Sequence, residues 1–295
     1  MLGKLPGTIG RIDRSVKQSR EQSPELSATA WGSTSDNLWA LVTPLIPAAP
    51  SHAKGGRTRV PDRQIFSAIV YLLRTGIQWN ALPRGLGASS TVHDRFQEWE
   101  QAGLFRSLWE AGLTSYDEFQ GIAWDWQALD GVMTKAPFGG AATSPNPTDR
   151  GKRGVTRSLL TDGVGIPLAV AVDGAIRRDR KLVVATLDGV VIARPTPTEV
   201  SQDLCPEAGY DYDAVRTEVL ERGYAAHIIN RSEERAERLT HHDAKARRWV
   251  IERTHGWPNR SRRLLVRWEK KLENYLAFVH LACAQLIFNK ILVPG

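Results

Sequence analysis

At 295 residues, 42% of them apolar, the chain is long enough for one large domain or two ordinary ones. A net charge of +7 and a pI of about 9.6 point to a polyanionic partner. No uninterrupted apolar run approaches the ~20 residues of a membrane span, and two distant cysteines, Cys205 and Cys283, suggest neither a disulfide framework nor a zinc site, so a reducing, cytosolic compartment is expected.

Residues 1 to 30 are rich in Ser, Gly, Lys, Arg and Gln without apolar periodicity and read as a disordered tail. From 31 to 115 the chain reads as helices joined by Gly and Pro turns. "TSDNLWALVTPLIP" offers capping residues and then Leu38, Leu41, Val42 and Leu45 at helical spacing. "VPDRQIFSAIVYLLRTG" places Pro61 in the first turn of a second helix that stops at Gly76. "SSTVHDRFQEWEQAG" is a third helix, capped by Ser89 or Ser90. Such helices form either a helix-turn-helix, with Arg84, His93, Arg95 and Gln97 turned to DNA, or a packing unit without a groove-reading role.

The pattern changes after Tyr116. "GIAWDWQALDG", "TRSLLTDGVGIPLAVAVDG" and "YAAHIIN" have strand composition, with helical stretches "DRKLVVATLDGVV" and "DYDAVRTEVLERG" between them. Near the end, Leu272, Tyr275, Leu276, Val279, Cys283, Leu286 and Ile287 predict a helix with one apolar stripe. Residues 116 to 295 therefore read as a mixed sheet flanked by helices, an α/β (α+β) domain. Just before the last helix the charge concentrates. From Lys245 to Lys271 there are ten Lys or Arg against two Glu, a net +8. Nucleic acid fits that excess better than a membrane, since no lipidation motif or amphipathic anchor accompanies it.

The chain carries no P-loop, no dinucleotide fingerprint, no H-E-x-x-H and no serine in a nucleophile-elbow context. No cofactor or small-molecule substrate is indicated. A basic protein acting on phosphodiesters needs acids gathered at one point to hold a divalent metal. Three stand in suitable settings. Asp130 ends a strand in "WQALDGVMTKAP", Glu207 lies in "DLCPEAGYDYDAVR", and Glu252 lies on "AKARRWVIERTHGW". Amid arginines, Glu252 has the ordinary reading of an ion pair on a basic helix, and taken singly each acid reads as structural ahead of catalytic.

Three long stretches resemble bacterial insertion-sequence transposases. "WALVTPLIPAAP…GGRTRVPDRQIFSAIVYLLRTGIQWNALPRGLGASSTVHDRFQEW" is similar to their N-terminal region. "LDGVMTKAPFGG…NPTDRGKRGVTRSLLTDGVGIPLAVAVDGA" is similar to the start of their catalytic domain, and "WVIERTHGWPNRSRRLLVRWEKKLENYLAFVHLACAQLIF" to its end. The resemblance implies a ribonuclease H-like fold and a DDE triad. Its first Asp falls on Asp130 and its Glu on Glu252, with the signature Arg at Arg248. Glu207, one methylene longer, stands where the second Asp belongs, after Pro206. These three would be the catalytic residues and the ligands of two Mg²⁺ or Mn²⁺ ions. Lys135, Arg150, Lys152, Arg153 and Arg157, in the loop after Asp130, would lie along DNA. So would Arg248, Arg253, Arg260, Arg262, Arg263 and Arg267. The resemblance further implies cleavage and strand transfer at terminal inverted repeats by a homodimer in the bacterial cytoplasm, at the nucleoid. The alternative is a transposase-derived DNA-binding protein whose triad is weakened at Glu207.

Overall fold

The computed structural model describes residues 34–49, 58–175, 179–206, 213–227, 250, 254, 256 and 261–292. Four helices come first: α1 (Asp36–Val42), α2 (Asp62–Thr75), α3 (Ser89–Gln101) and α4 (Leu104–Gln120). Ser35 caps α1 by accepting from the Leu38 amide, and α2 ends at Gly76, whose φ of 69° satisfies the left-handed stop. Pro61 is the residue before α2 rather than part of its first turn. Neither Ser89 nor Ser90 caps α3, which follows Ala88 without a side-chain cap. α4 carries helix past Tyr116 to Gln120, further than the sequence pattern indicates.

Strands follow: β1 (Trp126–Lys135), β2 (Ser144–Pro145), β3 (Arg153–Asp162), β4 (Pro167–Gly174), β5 (Asp203–Pro206) and β6 (Ala225–Ala226). They form one sheet, in the order β2-β3-β1-β5-β6, with β4 also paired to β3. β1, β3 and β4 are antiparallel neighbours, and β5 and β6 add in parallel on the far side of β1. Helices α5 (Asp179–Leu187) and α6 (Asp213–Glu221) flank the sheet. Three antiparallel strands extended by two parallel ones is the ribonuclease H-like, mixed α/β arrangement expected. "YAAHIIN" contributes only the two residues of β6 before its remainder leaves the described residues. A buried polar chain ties the parallel side together. Tyr224 Oη donates to Gln127 Oε1, and Gln127 Nε2 donates to Gln202 Oε1 at 3.1 Å.

The last helix, α7 (Leu272–Leu292), is long and apolar enough to cross a bilayer, but it packs against α4, α3 and β4. The single apolar stripe is not what is found. Phe278, Leu281 and Phe288 are buried as well, while Leu272, Leu276 and Leu286 are only half-buried. A core helix is covered on more than one side, so its apolar residues do not keep to one stripe.

One continuous core runs through the helical region and the sheet. Phe96 of α3 stacks on Phe278 of α7 with ring centroids 4.8 Å apart, and Trp109 Nε1 donates to the Pro167 carbonyl. No break in packing occurs at the boundary drawn near residue 115. The polar residues of the supposed groove reader are also engaged internally. Arg95 is buried against Asp62 and Glu98, His93 meets the Trp79 ring edge-on, and Gln97 donates to Asn274 at 2.7 Å. Of the four named for DNA, Arg84 alone is exposed without a described side-chain partner. Among the described residues this arrangement is a packing unit.

Candidate active site

Asp130 does not end its strand. β1 continues five residues to Lys135 because β3 pairs with it along its whole C-terminal half, down to Lys135 opposite Gly154. What ends beside Asp130 is the parallel partner: β5 pairs with β1 from Trp126 to Leu129, where Pro206 is the last partner. Asp130 is thus the first residue of β1 paired with β3 on one side and, among the described residues, with no paired strand on the other. Its carboxylate is half-exposed, and Oδ1 accepts from the Gly131 amide at 2.7 Å. Ligand sites of sheets with parallel strands gather where those strands end.

Glu207 and Glu252 lie outside the described residues; residues on either side of Glu252, and the one before Glu207, are described. Pro206, bonded to Glu207, is alongside Leu129, which precedes Asp130. As the final residue of β5, Pro206 does not interrupt the ladder, so its missing amide costs little there. Val250 and Thr254 bracket Glu252; both are helical and buried. Thr254 Oγ1 donates to the carbonyls of Val250 (3.0 Å) and Gly165 (3.1 Å). Gly165, at φ +90°, is close-packed there: a Cβ would fall 2.6 Å from Thr254 Oγ1.

The turn that meets Thr254 is held by Asp162, which the sequence reading missed. Its Oδ1 accepts from the amides of Val164 and Ile166, and its Oδ2 from that of Ala123. Burial pushes its pKa up to about 6, against the pull of those amides. Its signal was legible: an acid before Gly-x-Gly is a residue whose carboxylate can cap a tight turn.

The basic residues divide into two sets. Lys135, Arg150, Lys152, Arg153 and Arg262 are exposed, Lys135 facing Asp149 at 3.4 Å. Arg157, Arg263 and Arg267 are internal, and the expectation of DNA contact is corrected for them. Arg157 lies within β3 rather than in a loop, 3% exposed, and donates to the Tyr275 hydroxyl of α7. By register it shares the sheet face of Asp130, one pleat away, since it pairs with Val132 while Leu159 pairs with Asp130. Arg263 donates from Nε and Nη2 to Glu269 Oε1 at 2.7 Å and from Nη1 to the Ile77 carbonyl. Arg267 donates to the carbonyls of Glu269, Ala142 and Lys270. Buried inside the fold, these guanidiniums are not presented to a phosphate at the surface. Arg248, Arg253 and Arg260 lie outside the described residues. Among those described, no three His, Cys, Asp or Glu side chains cluster to hold a metal.

Residues 34–109 match the family model "Putative transposase of IS4/5 family", and residues 204–289 match "Transposase DDE domain". Over 163 residues the chain is 31% identical to the "Putative transposase for insertion sequence element IS402" of Burkholderia cepacia, an alignment covering 54% of this chain and 75% of that protein. The chain belongs to the insertion-sequence transposase family. A second protein of that bacterium, "Insertion element IS402 uncharacterized 16.2 kDa protein", is 31% identical over 116 residues, 38% of this chain and 79% of that one. A crystallised pre-cleavage Mos1 transpososome chain aligns over 93% of this chain and 90% of its own, at 12% identity and a TM-score of 0.27, too low for any structural inference. In this transposase the DDE-domain match opens in β5 at Leu204 and closes in α7. It includes Glu207 and Glu252 and leaves Asp130, on β1 four strands earlier in the chain, outside.

Proposed function

We propose that this transposase binds the terminal inverted repeats of its element, nicks the DNA strand at each end, and joins the freed 3′ hydroxyl to target DNA. The observation that carries this reading is the position of Asp130, half-exposed on β1 directly after Leu129, whose partner on the parallel strand β5 is Pro206. A carboxylate there suits a hard divalent cation, which takes oxygen ligands. Asp130, Glu207 and Glu252 would hold two Mg²⁺ or Mn²⁺ ions, which when bound offset phosphate charge and lower the pKa of water. The chain's own cations hold the strand. Lys135, Arg150, Lys152, Arg153 and Arg262 contact phosphates, fixing register without reading sequence, and Arg248, Arg253 and Arg260 extend that contact. Two ends are paired by two copies of the chain, in the cytoplasm beside the nucleoid.

Nicking of DNA carrying the element's own ends, in Mg²⁺ or Mn²⁺, tests the reading. Glutamate reaches about 1.5 Å further than aspartate, and a ~1 Å misplacement can cost ~100-fold. Glu207→Asp is therefore expected to raise the nicking rate. If neither the natural chain nor Glu207→Asp nicks DNA that both bind, the alternative of a transposase-derived DNA-binding protein with a weakened triad stands instead.

Salt dependence separates the exposed cations from the internal ones. Each phosphate contact contributes a slope of roughly 0.9 to log affinity against log salt. Arg153→Ala with Arg262→Ala is expected to flatten that slope by about 1 to 2 units in duplex titrations. Arg263→Ala leaves the slope unchanged and lowers the melting temperature, because Glu269, 7% exposed, is then an unpaired buried charge.

A further inference from the structure

The segment carrying the densest basic charge does something besides present arginines. Arg267 pins it to the loop after β1. The Arg267 amide donates to the Lys135 carbonyl at 2.8 Å, its guanidinium reaches Ala142, Glu269 and Lys270 carbonyls, and the Ala141 amide donates to Lys270. Gly140 sits so close, at φ +108°, that a Cβ would lie 2.1 Å from the Lys270 carbonyl oxygen. Two stretches more than a hundred residues apart are thereby locked together, and each offers one aromatic ring at the seam. Phe138 is 58% exposed and Trp268 41% exposed, with ring centroids 5.5 Å apart at 56°.

Exposing two large rings side by side forfeits burial that the fold could have used, and the backbone around them is too tightly tied for the exposure to be slack. The surroundings are cationic. Lys135 and Lys270 are exposed next to the seam, and the stem of the exposed Arg153 runs past Gly139, whose Cβ would be 3.0 Å from Arg153 Cδ. The acid within the segment, Glu269, is buried and paired with Arg263. Flat π-faces set among cations match a polyanion whose bases are unstacked, since base–aromatic stacking needs an open base face and phosphates need the charge. A fully paired duplex offers phosphates alone there.

We infer that Phe138 and Trp268 form a stacking platform for unpaired nucleobases of a DNA strand that runs on from the Asp130 site. Lys135 is five residues along β1 from Asp130, about 17 Å at ~3.3 Å per residue, or about five phosphates of one B-form strand at ~3.4 Å each. The platform therefore engages single-stranded or melted DNA a few nucleotides from the reacting phosphate. The inference rests on the DNA reading above.

The test uses the full chain and a mixed-sequence oligonucleotide, single-stranded or annealed to its complement, with affinities measured by fluorescence anisotropy. Phe138→Leu with Trp268→Leu keeps apolar bulk and removes both π-faces. It is expected to weaken single-strand binding by at least roughly fivefold, the low end of one lost stack, while duplex affinity stays within about twofold, as phosphate contacts alone predict. Trp268→Phe with Phe138→Tyr, which keep the rings, retains single-strand affinity. Equal losses on both forms, or none, overturn the platform while duplex binding keeps the DNA reading intact. Natural chain that binds neither form overturns the DNA reading and the platform with it. Dissociation of a dimer in the Leu variant, with both DNA affinities unchanged, overturns the platform in favour of a contact between copies of the chain.

Discussion

Asp130→Ala is expected to abolish metal-dependent nicking at the element's ends and to leave duplex binding intact or slightly tighter. The carboxylate stands on the central strand, next to the end of β5, where the main chain is fixed on the β3 side by continuous pairing. Its removal does not disturb that ladder, because the backbone pairing of β1 with β3 is independent of the side chain. On the proposed function, what is lost is a negative oxygen ligand at the reacting phosphate. Loss of one preorganised electrostatic group costs roughly 100- to 1000-fold in rate, and a metal ligand at least that. Binding improves because one repulsion with phosphate disappears. Asp173 provides the control. It accepts its neighbour's amide at 2.7 Å in the same manner, but it pairs with Thr156, three residues from Leu159, and so lies on the other sheet face. Asp173→Asn is expected to nick at the natural rate. Nicking by Asp130→Ala, or its loss in Asp173→Asn alone, would remove Asp130 from the reaction centre.

How much of this could be read from the sequence differs from element to element. The β3–β4 hairpin was legible because "TRSLLTDGVGIPLAVAVDG" combines strand composition with a Gly-x-Gly-x-Pro turn, and α2 because Gly76 ends a periodic apolar run. Asp130 was found, but its surroundings were misread. A glycine after an acid looks like a strand end, whereas pairing with β3 carries the strand through Gly131. Tertiary pairing overrides local turn signals of this kind. The basic window was misread for another reason. Counting charges does not show which are already spent, and Glu269 is the clue that was available. A single acid within a run of bases forms a buried pair with Arg263, and its carbonyl and that of Lys270 hold Arg267. Arg95 repeats the lesson, with Asp62 one helix away and Glu98 one turn on.

Stability between about pH 4 and pH 6.5 is expected to depend on two desolvated groups, buried Asp162 and half-buried His280, that pull in opposite directions, and single substitutions should expose each. Asp162 has its pKa raised by burial from 3.8 to about 6. The folded state therefore holds this proton where the unfolded chain has released it, and the stability this confers is complete below about 3.8 and is lost as pH rises through 6. That gap corresponds to about 3 kcal/mol. His280, in the α7 core beside Trp109 with ring centroids 5.3 Å apart, is pushed down from 6.5 to about 4, by burial first and then by the Arg106 charge. Here the unfolded chain takes the proton and the folded state refuses it, so stability is complete above 6.5 and is lost as pH falls towards 4, again by about 3 kcal/mol. In the natural chain the two nearly offset, and the denaturation midpoint should change little across the window on their account. Asp162→Asn keeps an oxygen for the Val164 and Ile166 amides but cannot titrate, so stability should fall steeply on acidification with His280 unopposed. His280→Phe removes the refusing base, and stability should instead rise as pH falls from 6.5 to 4. Urea denaturation at several pH values reads both slopes. Parallel pH profiles in the two variants would show that neither group is held where its burial places it.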